Sequence, residues 1–349
     1  MRTVVVTGSA GSTGSRVCKL LADDDDVERV IALDVKARRG GAHDKIEDHK
    51  VDLRHADLKP LIEGADTVVH LASSFGPQYD GIDTAHVDID ATRRLLDAAS
   101  GVGVTRLVLL SSALVYGARD TNPVPITEDH PVNPNPELSF AVVKAAIEQM
   151  AQDWRTAHPG CEVVVLRPAI ALAEGEASWV ARSLRAAAVI EVAEQAPPVQ
   201  FLHLDDLAAA VELAAAGGLS GAYNVAPDGH VDGEAVRELA GRTPRVRLPE
   251  EAAEGVGRFR WRHRLAPTPP GLTPYTMYPW VVANDRLKNA GWQPTLTNEQ
   301  AYVEGTPGKP WATMNAKRRQ NLALGGVAVV AVLSLLGLAW LVYWIRARR

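Results

Sequence analysis

Cysteine is scarce in this chain: Cys18 and Cys161 are the two in 349 residues. So few leave no disulfide framework and no thiolate metal cluster, and with them goes any argument for an oxidising compartment. No other metal site is read either; the acidic run 23–26 falls in a turn and is taken as solvated, since no further ligands lie near it by spacing. An excess of basic charge is also missing. Lys and Arg number 37 against 42 Asp and Glu, a net charge of -5, which gives no reason to expect nucleic acid as a partner. Met1-Arg2 runs directly into a strand-like segment, so no signal peptide is expected. Biased composition is absent as well: 46% hydrophobic and 23% charged residues are ordinary for a globular protein.

What the chain does have is a glycine-rich turn, T-G-S-A-G-S-T-G at 7–14, directly after the apolar run 4–6 and directly before a helix-like segment, 15–22. Strand, glycine turn and helix in that order form the context in which such a pattern points to phosphate binding. Gly8 can adopt backbone angles closed to other residues, Gly11 lets the main chain approach a pyrophosphate, and Gly14 permits close helix packing. The helix N-terminus behind them offers N–H groups and a positive dipole end to an anion. Asp34 closes a second strand-like run, 29–34, twenty residues after Gly14, at the spacing where an acid meets the adenosine ribose hydroxyls. Gly8, Gly11, Ser12, Thr13, Gly14 and Asp34 are therefore candidate dinucleotide-binding residues. Asp34 favours NAD by repelling a 2′-phosphate, whereas Lys36, Arg38 and Arg39 follow closely and leave NADP open.

Further strand-like runs, 67–72, 106–111 and 162–167, alternate with helical patterns, which argues for βαβ units and a doubly wound parallel sheet of Rossmann type. His70 at a strand end is read as a packed residue rather than an acid–base group. A proline-rich loop, 123–136, looks too irregular for core structure, and a helix at 139–156 carries Lys144. Beyond 166 the alternation weakens, and a smaller substrate lobe is expected over 167–304, partly interleaved with the sheet. In it Asp205 is expected to cap a helix, and 244–279, rich in proline and arginine, to form loops and short helices. Arg258, Arg260, Arg262 and Arg264 there suit either a substrate phosphate or an exposed basic segment.

After a linker, 305–321, residues 322–345 contain no charge over 24 positions. As a helix they would extend about 36 Å, more than a hydrocarbon core of ~30 Å. Lys317, Arg318 and Arg319 precede this run, Trp340, Tyr343 and Trp344 mark its far end, and a basic tail, 346–349, closes the chain. The expectation is a single-pass C-terminal anchor in the cytoplasmic membrane, with the dinucleotide domain, 1–166, in the cytoplasm.

Together these residues resemble the extended short-chain dehydrogenase/reductase family, its NAD-dependent epimerase/dehydratase group, over roughly 2–294. The turn at 7–14 is similar to the family's T-G-x-x-G-x-x-G. Asp52-Leu53 and His70-Leu71-Ala72 resemble its adenine-side and strand-end motifs, which implies cofactor contacts for Asp52, Leu53, Leu71 and Ala72. Ser111-Ser112-Ala113-Leu114-Val115-Tyr116-Gly117 resembles S-S-x-x-V-Y-G, making Ser112 the counterpart of the catalytic Ser/Thr. The resemblance implies a nucleotide- or lipid-linked sugar as the small-molecule substrate, and a two-helix homodimer interface is common in the family. The family's Y-x-x-x-K reads Phe140-Ala141-Val142-Val143-Lys144 here. The phenol that the resemblance makes the general acid–base is replaced by Phe140, while Lys144, the implied holder of the nicotinamide ribose, remains. Asp88 stands where the family often has asparagine, and 169–175 departs from its usual continuation after Arg167-Pro168. Three readings follow: an enzyme of altered acid–base chemistry, with Ser112, Tyr116, His70 or a substrate group supplying the proton path; a non-catalytic dinucleotide-binding regulator or scaffold at the membrane; or an enzyme in which Phe140 does not occupy the expected site, which requires a different helix register. Ser112, Lys144 and a full substrate lobe favour the enzyme.

Overall fold

The computed structural model describes residues 1–38, 40–74, 85–187, 190–192, 197–239 and 246–306. The expected membrane segment at 322–345 and Arg39 lie outside the described residues. Among the described residues no helix is long and apolar enough to cross a membrane.

Seven strands form one parallel sheet: β1 (Arg2–Thr7), β2 (Val27–Asp34), β3 (Ile46–Lys50), β4 (Thr67–His70), β5 (Arg106–Leu110), β6 (Glu162–Pro168) and β11 (Gly221–Val225). Their order across the sheet is β11-β6-β5-β4-β1-β2-β3. The chain winds one way from β1 through β2 and β3, then restarts beside β1 at β4 and winds the other way. That reversal places a crevice at the carboxyl ends of β1 and β4, where ligands of doubly wound folds bind.

Four helices cover the sheet: α1 (Ser12–Asp23), α2 (Ala85–Val102), α3 (Ser139–Ala157) and α5 (Leu204–Ala216). β1 shows why the sheet is buried on both faces. Val4 and Val6 join Val17, Cys18 and Leu21 of α1 and Leu207 and Val211 of α5 in one core. Val5 points the other way, into a second core with Leu95 of α2 and Ile147 and Trp154 of α3. Period-two alternation explains the split, and uninterrupted valine satisfies both faces.

The remaining elements build smaller layers at one end: β7 (Ile170–Ala173), β8 (Glu176–Ala177), α4 (Trp179–Ala187), β9 (Ile190–Val192), β10 (Phe201–His203), α6 (Gly233–Leu239), β12 (Val246–Leu248), α7 (Glu250–Arg262), α8 (Asp285–Asn289) and α9 (Asn298–Gly305). β10, β7 and β8 pair in one small sheet, β12 and β9 in another. β11 lies in the large sheet although it follows 166, so residues beyond that boundary complete the main sheet.

Three local expectations differ from the structure. His203, not Asp205, caps α5: its Nδ1 accepts from the Asp205 backbone N–H at 3.2 Å, and Asp205 sits in the first turn. Residues 250–262 form a 13-residue helix rather than loops and short helices. The prolines of that region fall outside it, while Glu250 and Glu251 in the first turn and Arg260 and Arg262 in the last complement the helix dipole. Ile126, inside the proline-rich loop, is fully buried and bridges to Val282, so the loop contributes to the core after all.

Candidate active site

The glycine turn sits at the carboxyl end of β1, as its sequence predicts. Gly8 has φ +72°, and a Cβ there would stand 2.7 Å from the Ala72 backbone nitrogen. A Cβ on Gly14 would collide with the Gly8 carbonyl oxygen. Gly11 is the N-cap of α1 without a side-chain cap, and the first turn of α1 has no acidic residue, so the helix end presents its dipole towards the cleft. Asp34 is drawn to this turn: one carboxylate oxygen accepts from the Ala10 N–H at 3.0 Å, the other from the Lys36 N–H at 2.9 Å.

A cleft of about 260 Å³ opens beside the turn. Gly8, Gly11, Ser12, Thr13, Gly14, Leu71, Ser112 and Phe140 line it, bringing eight of the sequence-derived candidates together. The rest lie elsewhere. Ala72 donates its N–H to Thr7 Oγ1 at 3.2 Å beneath the turn. Leu53 is buried in the core between sheet and α2, and Asp52 is engaged by Arg54 at 2.6 Å, which holds its carboxyl down to about 2. Lys144 is buried behind the lining, its Nζ donating to the Leu110 carbonyl at 3.0 Å.

The far wall is apolar. The Phe140 ring meets Trp179 edge-on, centroids 5.1 Å apart, and the Lys144 ammonium stands 5.8 Å from the Phe140 centroid. Ile170, Val180, Leu204, Leu207 and Trp280 continue the surface, and among the described residues no side chain lining the cleft is an acid, a base or a phenol. Burial lowers the Lys144 pKa, with the Asp88 and Glu148 carboxylates opposing that shift. Ser112 lines the cleft, and its Oγ accepts from the Leu114 N–H at 3.3 Å, capping the short turn Ala113–Tyr116.

The other titratable candidates are enclosed. The Tyr116 hydroxyl donates to Asn224 Oδ1 and accepts from Arg167 Nη1, both at 2.8 Å, and burial pushes its pKa up. His70 lies between Thr7 Oγ1 at 2.7 Å and Thr92 Oγ1 at 3.0 Å, and burial pushes its imidazole down to about 4. Neither residue lines the cleft. One buried residue has no counterpart among the sequence-derived candidates: Glu148, which accepts from Ser111 Oγ and pairs with Arg167 at 2.7 Å. Phe140, Lys144 and Glu148 share one face of α3 at four-residue spacing, and that spacing was the signal that could have found it.

Similarity to known proteins agrees with this geometry. The model of the NAD dependent epimerase/dehydratase family matches residues 4–226. An uncharacterised protein of Mycobacterium tuberculosis is 27% identical over 313 residues, 86% of this chain and 82% of its own. A UDP-glucose 4-epimerase of Oryza sativa is 30% identical over 189 residues, 48% of this chain and 44% of that enzyme. Among solved structures, the UDP-glucose 4-epimerase of Thermus thermophilus, in complex with NAD, shares the fold with a TM-score of 0.64 at 22% identity, over 87% of this chain and 97% of that one. The chain belongs to the NAD dependent epimerase/dehydratase family.

Proposed function

We propose that this chain holds NAD in the cleft at the carboxyl ends of β1 and β4, and that it does so without the proton-transfer group its family uses. The observation that carries this reading is the lining itself: Phe140 stands one helical turn before Lys144, and among the described residues no acid, imidazole, amine or phenol lines the cleft. The glycine turn fits a pyrophosphate, because its Cβ-free positions keep the main chain close and the α1 dipole unopposed. In this reading Asp34, held beside the glycine turn, meets the adenosine ribose hydroxyls, and Lys144, whose Nζ rests on the Leu110 carbonyl behind the lining, is the residue the family would use for the nicotinamide ribose. When bound, NAD supplies a hydride acceptor. A hydride taken from a sugar hydroxyl carbon requires that the hydroxyl proton leave as well, and Phe140 cannot receive it. The loss of general acid–base help is worth about 10²–10⁴ in rate. The chain is thus best read as a dinucleotide-binding regulator or scaffold, with a nucleotide-linked sugar, the substrate class in its relatives' names, as the second ligand.

One observation favours an enzyme instead. Ser112 lines the cleft and its hydroxyl serves as acceptor to the Leu114 N–H, which leaves its own proton for a path through that hydroxyl or through a substrate group. The two readings part on a single comparison: wild type and Phe140→Tyr, each incubated with NAD and a panel of nucleotide-linked sugars. The binding reading expects no NADH and no epimer from wild type, and turnover at least about 10²-fold higher from Phe140→Tyr. Wild-type turnover within about tenfold of the tyrosine variant would overturn it. We place the chain at a membrane through 322–345, on the strength of that uncharged run and its basic flanks.

A further inference from the structure

Three cations, Lys36, Arg38 and Arg39, follow the strand end that carries Asp34, and in sequence they oppose its preference for NAD. Arg38 is the informative one. Its Nε and Nη2 donate to the two carboxylate oxygens of Asp48 at 2.9 and 3.0 Å, and Nη2 also reaches the Gly41 carbonyl at 3.4 Å. The Arg38 side chain is only 6% exposed in this arrangement. Such two-point pairs fix a guanidinium in direction as well as place. Asp48 lies on the edge strand β3, in register with Ala32, while Asp34 pairs in register with Lys50. Two residues of a strand are about 6.6 Å, and alternate residues share a face, so Asp48 and Asp34 sit on the same side of the sheet.

We propose that Asp48 is a cofactor-specificity residue: it holds Arg38 along the β3 edge and so withholds a guanidinium from the 2′ position of the adenosine ribose. The inference rests on the NAD-binding reading of the cleft. An arginine near the acid of this fold is the usual means of accepting a 2′-phosphate, because its fork matches phosphate oxygens. Here the fork is already filled by a carboxylate. Two acids therefore act in the same direction, Asp34 by repelling the phosphate and Asp48 by occupying the arginine that would attract it. Lys36 commits its backbone N–H to Asp34, and its side chain is a point charge rather than a fork.

The test is a fluorescence titration of NADH and NADPH into the 349-residue chain and three variants: Asp48→Ala, Asp48→Asn, and Asp48→Ala with Arg38→Gln. Wild type is expected to prefer NADH. Asp48→Ala is expected to bind NADPH about tenfold more tightly than wild type does, a gain of ~1.4 kcal/mol, with NADH affinity unchanged. Adding Arg38→Gln is expected to erase the gain. Asp48→Asn keeps the shape of the side chain and guards against a folding defect in the alanine variant; a smaller gain in the same direction is expected. The proposal is overturned if wild type binds both nucleotides equally. It is also overturned if neither Asp48 variant gains NADPH while NADH still binds, or if the gain survives loss of Arg38. Wild type that binds neither nucleotide overturns the cofactor reading itself, and this proposal with it.

Discussion

Glu148 concentrates the electrostatics beneath the cleft. Its carboxylate takes the Arg167 fork and the Ser111 hydroxyl, and at 8% exposure it has little access to water. Removing one member of such a pair leaves the other as an uncompensated buried charge, typically a loss of about 3–5 kcal/mol. Glu148→Gln is therefore expected to destabilise the chain by roughly that amount in urea unfolding, mainly through the stranded Arg167. A loss below about 1 kcal/mol would mean that water already screens the pair. Residue-level chemistry was only partly legible in the sequence. Phe140 and Lys144 could be identified because both lie in one short motif. The partners of Glu148 come from β6 and from the end of β5, and nothing in the local spacing of α3 names them. Tyr116 shows the opposite error of omission: its motif is plain, but only the fold reveals that Arg167 and Asn224 already hold its hydroxyl.

At the scale of elements, His70 joins three pieces of structure. It ends β4, hydrogen-bonds Thr7 at the end of β1, and reaches Thr92 on α2. Burial keeps the ring neutral, its pKa pushed from 6.5 down to about 4. As pH falls, the unfolded chain takes up the extra proton first. The contribution to stability is thus complete above about pH 6.5 and is lost as pH falls through 4. Its full size is on the order of 3 kcal/mol. Unfolding free energy measured from pH 7 to pH 4 is expected to fall in wild type and to fall less steeply in His70→Gln; parallel profiles would remove His70 as the cause. The strands themselves were legible, since runs such as 4–6 and 107–110 are apolar without interruption, as a doubly covered parallel sheet requires. The caps and the C-terminal lobe were less so. His203 replaces Asp205 as the cap of α5 because capping depends on where the backbone is still extended, here two residues earlier, which composition does not mark. α7 was hidden because proline flanks it closely and its arginines recur at every second position, a spacing that does not advertise a helix.

For the whole molecule, the glycine turn, tied to Asp34 through the Ala10 N–H, lies at the β1/β4 crevice, and in the proposed reading the missing phenol changes what that crevice can do without dismantling it. The proposed anchor is separable from this: a chain ending at 321 is expected to leave the membrane pellet for the supernatant on cell fractionation while keeping its cofactor affinity. Retention in the pellet would exclude 322–345 as the sole attachment. The doubly wound parallel sheet followed from the alternating pattern of strands and helices, and a partly interleaved C-terminal lobe was expected, but neither the strand order nor the pairing of β11 with β6 could be read, because 221–225 is short and far from β6 in sequence. The central claim is that the cleft still holds NAD although Phe140 lines it. Titration of NADH into the 349-residue chain, followed by nicotinamide fluorescence, tests this most directly. The account predicts saturable binding at one site per chain, unchanged in Phe140→Tyr. Absence of binding by wild type at millimolar NADH would contradict it.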